Sequence, residues 1–383
     1  MNNKNRVKRS DILRRKRQFS PIQRWFHTIL MLIFILASIE GGTRFLLKIT
    51  KRKTIAILPV KTVLEKAWFK PHPHLLYIFK PNGSFTMDAF GKATITSNQF
   101  SFRSTREFDV KTRKKPKNSL RIATLGGSTT MGVNNDNEIW PYLIGKNLKE
   151  QYPEKQIEIL NEGIMGYTSL DNLLDLSTRI IDFDPDIYVL YLGVNDILAE
   201  APLEKYQSDH SHFRKTLYEQ LSLSYIEFLP SWLYRLKSVR LLLEMSGVTD
   251  RRDLIKNTST VQFRKHFELN AKEKNLIERK IRKNLRRNLK SMIAVIRAHN
   301  SKAQIVLGSF FDLEKRKIIE KMNKDFAKLA EKEKLIFVDI ARLIPADQKM
   351  TYDYGHFTKE GDQYIAKLLS KTIIESLSTN KQN

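Results

Sequence analysis

Ser128 lies in the stretch TLGGSTTMG, Thr124 to Gly132, directly after the apolar run RIATL. Several kinds of site bring Gly and Ser/Thr together behind a strand. A Walker-type phosphate loop needs Gly, four residues, Gly, then Lys and Ser/Thr. Val133 and Asn134 follow Gly132, which excludes it. A dinucleotide fingerprint needs Gly-x-Gly-x-x-Gly, which Gly126-Gly127-Ser128 does not supply. The nucleophile elbow Gly-x-Ser-x-Gly fits at Gly126 and Ser128 and fails at Thr130. What is left is a serine at the carboxyl end of a strand, on a backbone that glycines allow to turn sharply. By itself that is a turn; it becomes a nucleophile only if a base and oxyanion donors exist elsewhere.

A base stands near the other end of the chain. In TYDYGHFTKEG, Asp353 precedes His356 by three residues. A carboxylate at that distance can hold an imidazole through Nδ1 and leave Nε2 to take a serine proton. His72/His74 and His210/His212 form His-x-His pairs that could ligate a metal. Neither pair has a third ligand near it, so both are expected to face solvent, and no metal or cofactor is expected. Donors could come from NEGIMGYTS, with Gly163 and Gly166, and from YLGVND, with Asn195 and Asp196. A side-chain amide and backbone N–H groups can bind a developing oxyanion. Alternatively Gly166 only permits a turn, and Asn195-Asp196 only cap a helix.

These residues need elements to bring them together. Apolar strand candidates are Arg121–Leu125, Ile157–Leu160, Ile187–Leu192, Gln304–Leu307 and Leu335–Ile340. Helical patterns lie at Trp140–Tyr152, Leu170–Phe183, Lys317–Lys334 and Lys359–Leu377. Unbroken runs such as IYVLYL suit parallel strands buried on both faces. The pattern predicts an α/β fold: a doubly wound, flavodoxin-like sheet of five parallel strands with helices on both faces. Ligands should then sit at the carboxyl ends of the strands. Residues at about 201–275 break the pattern and read as a helical insertion, a candidate lid. Its densest aromatic stretch, Tyr225–Leu236, is expected to pack the insertion onto the domain. A helix over Leu276–Ile296 follows, with Ile277, Ile281, Leu285, Leu289, Met292 and Ile296 in an apolar stripe that should cover the sheet.

The chain has 383 residues, 41% apolar and 28% charged, and no cysteine. That is enough for a sizeable core and excludes a disordered chain. It also excludes disulfides, a thiolate nucleophile and Cys-ligated zinc. Of the net charge of +26, residues 1–54 carry +12, from 14 Lys/Arg against 2 acids. A basic arm could face nucleic acid, a membrane surface or an anionic glycan. The segment WFHTILMLIFILASIEGGTRFLL favours the membrane, and no nucleic-acid partner is expected. As a helix, Trp25–Leu47 is about 34 Å long, enough to span. LASIEGG is a poor cleavage site for a signal peptide, and a core helix would not need the basic block before it. The expected organisation is a cytoplasmic tail (1–24), a signal anchor (25–47), a linker with a small β-rich preface (48–118) and an α/β body (119–383) placed outside by the basic flank.

With these residues assembled, the sequence resembles the SGNH hydrolases, also called the GDSL-type lipase/esterase superfamily. The resemblance covers Leu120–Asp196 and Ser301–Ser376. Gly127 stands where the family name records an aspartate, as in a sub-group that reads GGST. The stretch KPNGSF through SNQFSFRS is similar to a preface found in bacterial members of that sub-group, which commonly carry glycine at the position of Ser101. The resemblance implies Ser128 as nucleophile, His356 as base and Asp353 as its orienting acid. It implies an oxyanion hole made of the Ser128 and Gly166 N–H groups and the Asn195 amide, with no metal. The expected function is a serine esterase acting on O-acyl or O-acetyl esters of a lipid or envelope glycan, held in a bacterial inner membrane. The alternatives are an acyltransferase using a sugar hydroxyl in place of water, and a non-catalytic envelope-assembly protein of the same fold.

Overall fold

The computed structural model describes residues 20–52, 68–70, 72–212, 232–246 and 269–379. The chain divides into two units: Met1–Val60 with Tyr225–Arg252, and Lys61–Ser224 with Asp253–Asn383. The strands, in chain order, are β1 (Phe69–Lys70), β2 (Ile78–Phe79), β3 (Ser84–Met87), β4 (Ala93–Thr96), β5 (Ser119–Gly126), β6 (Gln156–Gly163), β7 (Ile187–Tyr191), β8 (Gln304–Gly308) and β9 (Ile336–Val338). The helices are α1 (Pro21–Ile49), α2 (Ser128–Met131), α3 (Trp140–Gln151), α4 (Ser169–Thr178), α5 (Val194–Leu198), α6 (Lys237–Met245), α7 (Ala271–His299), α8 (Lys317–Glu333), α9 (Ile340–Leu343) and α10 (Lys359–Thr379).

In the larger unit, five parallel strands pair in the order β6-β5-β7-β8-β9. This is the doubly wound α/β arrangement that the strand pattern predicts. Every residue of β7 is buried, and β5 is buried from Leu120 to Gly126, so both faces are covered. The helices cover the sheet in two groups, α3 with α10 and α4 with α7, α7 also meeting α8. The chain order reverses at β5, which opens a crevice at its carboxyl end.

Ahead of the sheet, β1 pairs with β2 and β3 with β4, both antiparallel. This preface is joined to the sheet by side chains. Arg103, fully buried, donates its backbone N–H to Asn161 O and its guanidinium to the carbonyls of Gly132 and Asn134, each at 2.6 Å. Asp136 accepts from Thr96 of β4 and pairs with Arg103 and Arg106.

Several elements differ from the sequence pattern. The helix expected over Leu170–Phe183 ends at Thr178 and continues as a 3₁₀ turn, Ile180–Phe183. Ser177 and Thr178 hydrogen-bond the carbonyls four residues back, and two isoleucines follow, all unfavourable to continuing an α-helix. The last strand is shorter than Leu335–Ile340, because Asp339 opens α9. The helix expected from Leu276 begins at Ala271, where the Asn270 side chain caps Glu273 N at 2.9 Å. All six residues of its apolar stripe are buried.

The insertion does not behave as one piece. Residues 201–212 belong to the larger unit, where Tyr206 is buried and accepts a hydrogen bond from Asn284. Residues 232–246 belong to the unit of α1. Of Tyr225–Leu236, expected to pack the insertion onto the domain, residues 225–231 lie outside the described residues, and Trp232 is 61% exposed. In the smaller unit, α1 is capped by Ser20 and Gln23 with Pro21 at its first position, and none of its residues is buried. Among the described residues it is the one helix long and apolar enough to cross a membrane.

Candidate active site

β5 ends at Gly126, paired with Gly163 of β6 and Tyr191 of β7. Ser128 follows as the first residue of α2. Two glycines let the backbone close this tightly. A Cβ on Gly163 would lie 1.9 Å from Met131 N, so α2 rests directly on the end of β6. A Cβ on Gly127 would lie 2.5 Å from Asn195 Nδ2, so the glycine in the aspartate's place leaves room for that amide. Thr130, where an elbow has its last glycine, donates its hydroxyl to Tyr191 O at 2.8 Å and ties α2 to β7.

The structure brings Ser128, His356 and Asp353 into one line. His356 Nε2 stands 2.8 Å from Ser128 Oγ, and His356 Nδ1 stands 2.8 Å from Asp353 Oδ2. The other Asp353 oxygen accepts the N–H groups of Gly355 and His356, both at 2.9 Å, so the carboxylate also shapes the loop that carries the histidine. Burial pushes the Asp353 carboxyl up, but the hydrogen bond and charge of His356 and the two N–H groups outweigh it and hold it below its ordinary value.

The Asn195 amide donates to Tyr167 O at 2.8 Å, which fixes it beside Gly127. Gly166 lies in the turn after β6, with φ +77°, a conformation that favours glycine. The preface pins that turn: Tyr77 Oη donates to Met165 O at 2.6 Å, and Tyr167 Oη donates to Tyr77 O. Asp196 does the capping: its carboxylate accepts Ser169 N and Oγ at the start of α4. Burial raises that carboxyl to about 7 against the pull of Ser169.

Sequence reasoning missed the support around His356. Asn134 joins the loop after α2 to both flanks of the histidine loop. Its Nδ2 donates to Phe357 O at 3.1 Å and Asp362 Oδ2 at 2.7 Å, and its Oδ1 accepts Tyr352 Oη at 3.0 Å. Burial pushes the Asp362 carboxyl up to about 8, opposed by Asn134, the Trp140 N–H and Arg103. Phe90, at the tip of the β3–β4 hairpin, places its ring 4.9 Å from that of His356 and 5.7 Å from that of Tyr352. No local motif announces either Asn134 or Phe90, because each acts across a long stretch of sequence. Ser101 adopts φ +68°, a left-handed turn.

Of the histidine pairs, His74 is exposed as expected and His72 half-buried, whereas His210/His212 needs correction. His210 is fully buried, not solvent-facing, and its ring lies 6.5 Å from that of Tyr206. His212 Nδ1 accepts Gln207 N, and its Nε2 lies 2.8 Å from Ala199 O. Among the described residues no group of three or more His, Cys, Asp or Glu is arranged to hold a metal.

A comparison with curated protein sequences returned no match. Among solved structures, the lipase/acylhydrolase from Enterococcus faecalis aligns at 16% identity over 66% of this chain and 95% of its own, with a TM-score of 0.38. A GDSL-like lipase from Bacteroides thetaiotaomicron aligns at 16% identity over 68% and 91%, with a TM-score of 0.39. A carbohydrate esterase family 3 protein from Talaromyces cellulolyticus aligns at 13% identity over 68% and 99%, with a TM-score of 0.41. The GDSL-like lipase/acylhydrolase family matches residues 124–364, a span that begins at the strand end carrying Ser128 and closes just beyond His356. More than half of the chain, with both ends of the candidate site inside it, thus belongs to that family, and the protein is a GDSL-like serine hydrolase.

Proposed function

We propose that the protein is a membrane-anchored serine esterase that hydrolyses O-acyl or O-acetyl esters through a Ser128 acyl-enzyme. The observation that carries this reading is the hydrogen-bonded line from Ser128 Oγ through His356 to Asp353, at 2.8 Å and 2.8 Å. His356 Nε2 takes the Ser128 proton as Oγ attacks the ester carbonyl carbon. The carbonyl π pair moves onto oxygen, and the oxyanion is met by the Ser128 and Gly166 N–H groups and by the Asn195 N–H that Tyr167 does not use. Collapse expels the alkoxide, which leaves as the alcohol with the proton from His356. Water then repeats the sequence on the acyl-enzyme, releasing the acid and restoring Ser128. Asp353, ionised throughout, keeps the Nδ1 proton in place and stabilises the imidazolium.

The membrane part rests on the apolar α1 and the basic residues before it, which favour a cytoplasmic N-terminus and an external hydrolase unit. The test is a panel of short and long acyl esters and acetylated glycans, given to the purified full chain in detergent beside Ser128→Ala. Loss of at least about 10³-fold in turnover on substitution is expected, and equal rates would overturn the esterase chemistry. Protease added to spheroplasts should digest the hydrolase unit; full protection would reverse the topology.

A further inference from the structure

The smaller unit contains a contact that the esterase reading does not use. Glu40 lies in α1 at the end of its apolar run, one residue after Ile39 and followed by Gly41, Gly42, Thr43 and Arg44. An acid at membrane depth is costly unless its donors are supplied. Here they come from α6, nearly two hundred residues later in the chain. Glu40 Oε1 accepts Lys237 N at 2.9 Å, and Oε2 accepts Ser238 N at 3.0 Å and Ser238 Oγ at 2.8 Å. Arg44 adds a bond at 2.6 Å from the next turn of α1. Those N–H groups belong to the first turn of α6, which has no side-chain cap of its own, since Leu236 occupies the N-cap position. A carboxylate placed there satisfies the orphan donors and the positive end of the helix dipole together. A second clamp closes the far end, Arg52 to Glu244 at 3.0 Å. The two clamps run in the same sense along both helices, so α6 lies beside the last three turns of α1.

The faces turned away from this contact are apolar on both helices. On α1, Phe45, Leu46 and Ile49 are more than half exposed. On α6, Leu242 and Met245, spaced i,i+3 on one face, are exposed to 68% and 76%. At the outer end of α1 stand cations, Lys48, Lys51 and Arg52. An apolar collar topped by cations matches the outer leaflet of a bilayer, with hydrocarbon against Leu242 and Met245 and phosphate headgroups against the cations. If the span begins near Trp25, Leu47 lies about 34 Å along the helix, so Glu40 and the start of α6 fall within the outer leaflet.

We propose that α6 is a membrane-embedded element: it docks on the outer half of α1 by receiving Glu40 and lays Leu242 and Met245 into lipid, so that the anchor is built from two distant segments of the chain. This rests on the reading of α1 as a membrane span.

The chain has no cysteine, so single-cysteine variants can be spin-labelled without background. Leu36→Cys on α1, Leu242→Cys and Met245→Cys on α6, and Lys290→Cys on the exposed face of α7 would be made in the full chain. Each would be reconstituted in phosphatidylcholine/phosphatidylglycerol vesicles. Oxygen partitions into lipid, and a nickel chelate stays in water. The labels at Leu36, Leu242 and Met245 should relax more with oxygen than with nickel, and the label at Lys290 should show the reverse order. Adding Glu40→Ala to Leu242→Cys should move that label towards the Lys290 result while leaving Leu36→Cys unchanged. If Leu36 behaves as lipid-exposed and both α6 labels behave like Lys290, the proposal falls and the membrane span stands. If Leu36 also behaves like Lys290, the span falls and this proposal with it.

Discussion

Ser128 and His356 meet at 2.8 Å, yet the two sides of that contact are built differently. The serine side is backbone packed on backbone: α2 sits on the end of β6 with no room for a Cβ at Gly163. The histidine side is a loop outside the sheet, held by side chains. Asp353 gathers the N–H groups of Gly355 and His356, and Asn134 grips Tyr352 and Phe357 on either side of the imidazole. The difference teaches where the site tolerates change. A packed strand end accepts no added volume, whereas a side-chain scaffold loses function in steps as its bonds are removed.

Substitutions can break or sharpen that contrast. Asp353→Asn keeps an oxygen for the loop N–H groups but sets an amide donor against His356 Nδ1 in place of the acid, and kcat should fall by about 10⁴-fold; a fall below tenfold would show that His356 works without the acid. Its pKa is depressed, so its stabilising contribution is present above the ordinary value of 3.8 and is lost as pH falls through the lower folded value. The difference in urea midpoint between wild type and Asp353→Asn should therefore be constant at neutral pH and shrink only below pH 3.8. On the serine side, Asn195→Ala should lower kcat by about 10²–10³-fold with KM little changed. Next comes Asn134→Ala, which touches no reacting atom. A drop of about 10- to 100-fold in kcat is expected from a displaced histidine loop, and Asn134→Asp should restore less than half of it because the donor to Phe357 and Asp362 is lost. The smallest effect belongs to the preface. Ser101→Gly should raise stability by about 1 kcal/mol or less, by relieving a left-handed residue, with kcat unchanged in the ester assay.

The same contrast explains what could be read from the sequence. The strands of the sheet are apolar runs, and β5, β6 and β8 end in glycine; both properties are local, so the sheet and the place of Ser128 were legible. Asp353 and His356 were legible because three residues of spacing suffice to bond an imidazole. Arg103, Asn134 and Phe90 were not, because each makes its contact with residues far along the chain, and a lone arginine, asparagine or phenylalanine carries no periodicity. Thr130 looked like a departure from the elbow pattern, and its role as a tie to Tyr191 appears only once β5 and β7 lie side by side. The exposed reading of His210 failed for a related reason, since a polar residue between polar neighbours gives no hint that Tyr206 will cover it.

The hydrogen bond between Ser128 and His356 closes a loop of 228 residues, and the helix that backs the histidine is the last element described. During synthesis Ser128 and all five strands of the sheet, the last ending at Val338, are made before His356. A chain interrupted before His356 therefore carries Ser128 without its hydrogen-bond partner, and the contact between them forms only after every strand of the sheet has been made.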